Sequence, residues 1–224
     1  MEVRFLGHAC FTLSDGSATI LIDPFLTGNP KAAIAAEDVS ANAILLTHGH
    51  QDHFGDTVAI AKRTGASVTA ITELAGEIGE QGVEVNDPNM GGTVKFDWGW
   101  VKVVPAWHTS TTPNGTVNTP AGLLISFDGT IVYHLGDTCL FSDLQLVGKR
   151  HPIDIALMCI GGHYTMDRTD AVDAAALVGA KTVIPCHYGT FPPIETDAQA
   201  FKSDVESATG SSVVVLEPGE THST

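Results

Sequence analysis

The sequence predicts an α/β protein in which two packed β-sheets carry helices on their outer faces. Three observations support that expectation. Short apolar runs rich in β-branched residues recur along the 224-residue chain, helical patterns separate only some of them, and turn dipeptides join neighbouring runs. Strands outnumber helices, which favours two packed sheets over a single doubly wound one.

The strand-like runs are Val3–Leu6, Thr19–Ile22, Ala43–Thr47, Ser67–Ile71, Val101–Pro105, Leu123–Phe127, Ile131–Leu135, Ile153–Ile160, Thr182–Pro185 and Val213–Leu216. Many are apolar throughout, as strands buried on both faces are. Helical patterns lie over Asp56–Arg63, Glu73–Glu80, Thr169–Val178 and Thr196–Ala208; Asp167 or Thr169 is suited to cap the third, and Gly179 to end it. Hairpin-like pairs flank Asp15-Gly16 and Asp128-Gly129. Asn86–Thr93, with Asp-Pro and Gly-Gly, reads as a plain connection. Thr109–Gly122 holds Pro113, Asn114-Gly115 and Pro120, and reads as a surface loop suited to wall a pocket. With no repeat of solenoid length and no disordered linker, residues 1–224 are expected to form a single domain.

Net charge is −15, from 26 acidic against 11 basic residues. A field of that sign repels phosphate backbones, and the largest basic cluster is Lys149-Arg150, so nucleic acid is not an expected partner. No run reaches the length of a membrane span; the most apolar stretch surrounds Ile155–Ile160. The residues Met1–His8 lack a basic region followed by an apolar one, so a soluble cytoplasmic protein is expected. Cys10, Cys139, Cys159 and Cys186 are widely separated, and three lie in apolar contexts that suit buried reduced thiols rather than disulfides or metal ligands.

The chemistry gathers at His48, His50, Asp52 and His53, within six consecutive positions between a strand and a helix. On extended backbone His48 and His50 project to one side, and Gly49 lets the chain approach closely. The turn into the helix swings Asp52 and His53 toward a second position. Imidazole nitrogen with carboxylate oxygen suits zinc, and also manganese or iron. Three more strand-like runs end on ligand types: Val101–Pro105 leads to His108, Ile131–Leu135 to Asp137, and Thr182–Pro185 to His187. Side chains at neighbouring strand ends converge on one sheet edge. Jointly these residues supply what the His48–His53 cluster lacks.

At these residues the chain resembles the metallo-β-lactamase superfamily, through His48-x-His50-x-Asp52-His53, then His108, Asp137 in Leu-Gly-Asp-Thr, and His187. Asp23, in Leu-Ile-Asp-Pro, is similar to that superfamily's early aspartate. The segments Phe-Leu-Gly-His-Ala-Cys-Phe, Leu-Ile-Asp-Pro-Phe-Leu-Thr-Gly-Asn-Pro, Leu-Thr-His-Gly-His-Gln-Asp-His-Phe-Gly-Asp and Ile-Pro-Cys-His-Tyr-Gly-Thr-Phe-Pro-Pro more closely resemble a family of compact metal-dependent hydrolases related to the bacterial ascorbate-phosphate lactonases. The resemblance implies a four-layer αββα sandwich of two mixed β-sheets flanked by helices, with metals at one edge. It implies two divalent ions, zinc first and manganese or iron as alternatives. His48, His50 and His108 would hold the first, Asp52, His53 and His187 the second, and Asp137 would bridge them. The absence of Cys at Asp137 departs from the zinc β-lactamases, and His50 in place of Glu departs from the di-iron flavoprotein oxidases.

Such a centre, with ions about 3.5–4 Å apart, brings the pKa of a shared water toward about 7. The resulting bridging hydroxide would attack an ester, lactone or phosphoester of a small metabolite. Two dications, two ligand carboxylates and one hydroxide leave roughly one positive charge. Asp52 is suited to orient the nucleophile and pass a proton to the leaving group. His8 and His163, each behind a strand-like run and a glycine, are candidate catalytic residues; Tyr164 and Tyr188 are weaker ones. Arg168 is expected to pair with Asp167 or Asp170, and His134 to be buried behind the ligands. His151 and His222 read as surface residues, and Trp98, Trp100 and Trp107 as core or lid packing. The alternatives to a small-metabolite hydrolase are a phosphodiesterase or nuclease, and a non-catalytic metal-binding regulatory protein. The expected partner is a small-molecule substrate, and self-association into a homo-oligomer stays open.

Overall fold

Strands with two buried faces set the layering. In the strand Ala121–Phe127, Leu123, Ile125 and Phe127 join one apolar cluster while Leu124 joins another. Ile155 and Leu157 likewise face away from Ala156 and Met158 in the strand Ile155–Cys159. Side chains alternate with period two, so each such strand needs cover on both sides.

The computed structural model describes residues 1–224 and answers that need with two seven-stranded sheets. The first comprises β1 (Glu2–Gly7), β2 (Cys10–Ser14), β3 (Thr19–Ile22), β4 (Ala43–Leu45), β5 (Ser67–Thr69), β6 (Val85–Asn86) and β14 (Thr221–Ser223), in the order β14-β1-β2-β3-β4-β5-β6. The second comprises β7 (Thr93–Phe96), β8 (Gly99–Pro105), β9 (Ala121–Phe127), β10 (Thr130–His134), β11 (Ile155–Cys159), β12 (Thr182–Cys186) and β13 (Ser212–Val213), ordered β13-β12-β11-β10-β9-β8-β7. Both sheets are mixed. From β14 to β3 and from β7 to β10 neighbours are antiparallel, and the remaining pairs are parallel.

The helices are α1 (Gln51–Phe54), α2 (Thr57–Thr64), α3 (Thr72–Glu80), α4 (Leu144–Arg150), α5 (Arg168–Val178) and α6 (Ala198–Ala208). The larger core cluster, of 38 buried residues, joins side chains of both sheets with Ile60, Ala61, Leu74, Ala75 and Ile78 of α2 and α3. The second, of 21, packs β9–β12 against α4, α5 and α6. This is the four-layer αββα sandwich, two mixed sheets flanked by helices. No helix is long and apolar enough to cross a membrane.

Several local expectations need correction. Cys10–Ser14 is a full strand, paired with β3 across the Asp15-Gly16 turn. The helix α4, and the short edge strands β6, β7 and β14, lie where no element was expected. The Asn86–Thr93 connection does more than connect, since Gly91 N–H donates to Val103 O and Val103 N–H to Gly92 O. The Thr109–Gly122 loop buries Ser110, Thr112 and Asn118, and its last residues begin β9. Trp107 is 66% exposed and belongs to no core, whereas Trp98 stacks on Phe96 with ring centroids 4.4 Å apart. Arg168 pairs with Asp204 rather than with Asp167 or Asp170. Asp167 caps α5 by accepting the N–H groups of Thr169 and Asp170, and Gly179 ends it in the left-handed conformation, as anticipated.

Candidate metal centre

Strand direction brings the site together. β3, β4, β10, β11 and β12 belong to the parallel pairings, and their C-terminal ends reach one edge of the sandwich. Asp23 follows β3, Thr47 and His48 follow β4, Asp137 follows β10, and His187 follows β12. Antiparallel pairing through β2 and through β9 gives β1 and β8 the same direction, so His8 and His108 reach that edge too. Five non-glycine residues have positive φ, and four of them lie here: His8 (61°), Asp23 (45°), His163 (52°) and His187 (55°). Left-handed backbone costs about 1–3 kcal/mol per non-glycine residue and is retained where the surroundings enforce it. Its concentration at one edge marks where the fold spends stability on aiming side chains.

The side chains converge on Asp137, which is almost fully buried. Its Oδ2 lies 3.0 Å from His187 Nε2, 3.6 Å from His108 Nε2 and 4.0 Å from His48 Nε2, and its Oδ1 is 3.4 Å from His53 Nε2. His48 Nε2 and His50 Nδ1 approach to 3.1 Å, two ring nitrogens aimed at a common point. His48, His50 and His108 form one group of donor atoms within 4.8 Å of one another; His48, His53 and Asp137 form a second; His8, Asp52, His53 and His187 form a third. His53 Nε2 and both ring nitrogens of His187 are buried without an aligned hydrogen-bond partner. An unpartnered buried imidazole nitrogen is costly. Several aimed at one carboxylate are the donor set that a borderline cation such as zinc satisfies. The residues present fit a metal.

A supporting frame holds these donors. Asp23 accepts from Thr47 N–H (2.8 Å) and Thr47 Oγ1 (2.6 Å), and its Oδ2 lies 2.8 Å from His53 Nδ1. That contact leaves His53 Nε2 free to face Asp137. His8 Nε2 is 3.1 Å from Asp52 Oδ2, and its Nδ1 is 2.9 Å from Thr190 Oγ1. His134 is buried, bonds Ala9 O through Nε2, and accepts Gly136 N–H at Nδ1, fixing the residue before Asp137. Ser110 accepts Gly49 N–H at 2.9 Å and donates to Asn118 at 2.8 Å. A Cβ on Gly49 would fall 2.6 Å from Asn118 Nδ2 and 2.9 Å from Thr112 Cγ2. Gly49→Ala is therefore expected to weaken metal affinity about 10- to 100-fold by pushing the His48–His50 turn off its brace; titration against a chromophoric chelator checks this, and unchanged affinity would remove that role from the loop.

Electrostatics in the metal-free protein follow from burial against pairing. Burial opposes the Asp137 carboxylate, but the charges of His187 and His53 reverse the effect and hold it well below the usual carboxylate range. Burial works against charge on His187 as well, yet Asp137 and Asp52 push it up to about 9. His53, likewise opposed by burial, is raised by Asp137 and Asp23. His8 is lowered to about 4 by burial and by His187. His187 thus carries at pH 7 a proton that a cation must displace, and His53 is held toward its protonated form in the same direction. Metal loading is expected to release protons near neutral pH, and fewer as pH rises through about 9, where His187 loses its own. Calorimetry in buffers of different ionisation enthalpy measures this release, and none at pH 7 would contradict the arrangement.

The donors open onto a cavity of ≈ 610 Å³, lined on its polar side by His50, Asp52, His108, Asp137 and His187. Phe25, Gln51, Thr109, Tyr164, Phe191 and Pro193 complete the lining. His163 has its backbone at this edge, while its exposed ring packs edge-on against Tyr164. Tyr188 lines a separate small cavity of ≈ 70 Å³ with His8, Lys31 and Glu217. Sequence reasoning did not single out Phe25, Phe191, Ser110 or Thr190. The only signal for the first two is their closeness along the chain to Asp23 and His187.

The beta-lactamase superfamily domain matches residues 2–187 of the chain. The UPF0173 metal-dependent hydrolase of Shouchella clausii is 48% identical over 228 residues, covering 99% of each chain. That of Thermus thermophilus is 46% identical over 221 residues, covering 98% of this chain and 97% of the relative. Among solved structures, Igni18, described as a novel metallo hydrolase from Ignicoccus hospitalis, superposes with a TM-score of 0.90 at 37% identity, covering 99% of this chain and 97% of the other.

Proposed function

The chain belongs to the UPF0173 metal-dependent hydrolases of the beta-lactamase superfamily, and on that premise we propose that it holds two divalent ions and hydrolyses an ester, lactone or phosphoester of a small metabolite. The observation that carries the reading is the position of Asp137, within 4.0 Å of imidazole nitrogens from both ligand groups. His48, His50 and His108 would hold one ion, and Asp52, His53 and His187 the other, with Asp137 facing both groups. Zinc suits this set best, with manganese or iron as alternatives. Bound there, such ions supply Lewis acidity and an activated water at neutral pH.

The chain's own residues do the rest. Asp52 lies at the cavity wall with its side chain 31% exposed, and His8 holds its Oδ2 from behind. A carboxylate so placed is suited to orient the nucleophile and to pass a proton to the leaving group. His8 keeps that carboxylate aimed, and Thr190 fixes the His8 ring. The buried thiols of Cys10, Cys159 and Cys186 and the charge of −15 suit a reducing, cytoplasmic setting.

Metal-replete protein assayed on lactones, carboxylic esters, thioesters and phosphodiesters tests the reading. Turnover is expected that a chelator abolishes and zinc restores. Full metal occupancy with no turnover on that range would favour a metal-binding protein without hydrolytic function.

A further inference from the structure

We infer, resting on the hydrolytic reading of this cavity, that its substrate is an uncharged carboxylic ester or lactone bearing an apolar arm that lies against Phe25 and Phe191, rather than a phosphorylated metabolite. The wall is built for it. Phe25 and Phe191 have ring centroids 6.3 Å apart, and each sits 5.7 Å from the ring of His8. His8 in turn contacts Asp52, so the two rings flank the residue behind the proposed proton carrier. A substrate with its acyl carbon beside Asp52 brings its non-reacting arm onto this surface. Pro193 and Tyr164 extend the lining.

Cationic side chains that recognise phosphate are missing from the same cavity. Phosphate sites use arginine or lysine, often in bidentate geometry. No lysine or arginine lines this cavity. Arg168 is engaged with Asp204, and Lys31 faces the small separate cavity on another side of His8. The net charge of −15 disfavours approach of an anion, and the buried carboxylate of Asp23 directly behind His53 offsets the positive charge left at a loaded centre.

In the reaction inferred, water oxygen bonds to the acyl carbon and the acyl carbon–alkoxy oxygen bond breaks. One water proton passes by way of Asp52 to the leaving oxygen, giving an acid and an alcohol, or a hydroxy acid from a lactone.

The test uses zinc-loaded full-length protein with p-nitrophenyl acetate, butyrate and hexanoate, with γ-butyrolactone against γ-nonalactone, and with p-nitrophenyl phosphate and bis-p-nitrophenyl phosphate. Each added methylene is expected to raise kcat/KM up to about fourfold. Phe191→Ala is expected to lower the hexanoate-to-acetate ratio of kcat/KM roughly tenfold. Binding gives a readout independent of turnover: hexananilide should bind the metal-free protein, and more weakly to Phe191→Ala and Phe25→Ala, while phenyl phosphate should not compete. A flat chain-length series, or phosphate esters turned over faster than carboxylic esters, would overturn the inference. Absence of turnover in every series would count against the hydrolytic reading itself. Hexananilide binding would then decide the apolar wall alone, its absence overturning it.

Discussion

Asp137→Asn is expected to lose bound metal and turnover together while keeping the fold. The substitution preserves shape but removes the one carboxylate that faces His48, His53, His108 and His187. Breaking a buried charged pair by removing one partner costs about 3–5 kcal/mol, or roughly two to four orders of magnitude in an equilibrium constant. A loss of that order is expected in metal affinity, and kcat/KM falls at least as far at limiting metal. In the metal-free variant His187 and His53 lose the largest of the neighbours that raise them, while Asp52 and Asp23 stay, so fewer protons are released on loading near neutral pH. Chelator competition, calorimetry and circular dichroism read these three effects. Wild-type affinity in a folded variant would remove Asp137 from the centre.

Asp23→Ala acts one layer further back and is expected to injure stability as well as metal binding. The carboxylate is fully buried and serves Thr47 N–H, Thr47 Oγ1 and His53 Nδ1. Deleting it strands Thr47 N–H and His53 Nδ1 at about 1–3 kcal/mol each before relaxation, leaves Thr47 Oγ1 with His48 Nδ1 at 3.0 Å, and lets the His53 ring turn away from Asp137. A position at φ 45° also suits alanine less than aspartate. Denaturant titration should show several kcal/mol lost, and metal affinity should fall about 10- to 100-fold in the fraction that folds. Asp23→Asn, which keeps an acceptor and tolerates the left-handed backbone, should recover most of the stability. If Asn and Ala behave alike, hydrogen bonding at this position is not what holds His53.

What the sequence made legible is what obeys a period or a spacing. The runs that become β3, β9, β11 and β12 declare themselves because both their faces are buried, and those that become β1, β8 and β10 because at least one face is. Two of the edge strands, β6 and β14, are two and three residues long with partly exposed side chains, too short to show alternation. The helix α4 escapes because Gly148 interrupts its pattern; the glycine is needed where the helix meets the Val178 carbonyl of α5, a contact known only once the two helices dock.

The same division runs through the site. His48–His53 is compact in sequence, and His108, Asp137 and His187 stand at strand ends, so topology alone gathers them. Ser110, Thr112 and Asn118 sit in a segment whose polar composition reads as surface, yet they are buried because Ser110 satisfies Asn118 and the Gly49 backbone while Thr112 donates to Glu77. Thr190 and Phe191 become meaningful only when the loop after β12 folds back over His8. Ordinary residue types placed by tertiary contact leave no mark in a single sequence.

The central claim, a centre shared by two ligand groups across Asp137, is most directly tested by counting metal in purified, zinc-replete protein by mass spectrometry, beside His50→Ala and His187→Ala. The account predicts two ions per chain in the wild type and about one in each variant, because each loses a ligand from a different group. One ion in the wild type, or wild-type content in both variants, would contradict it.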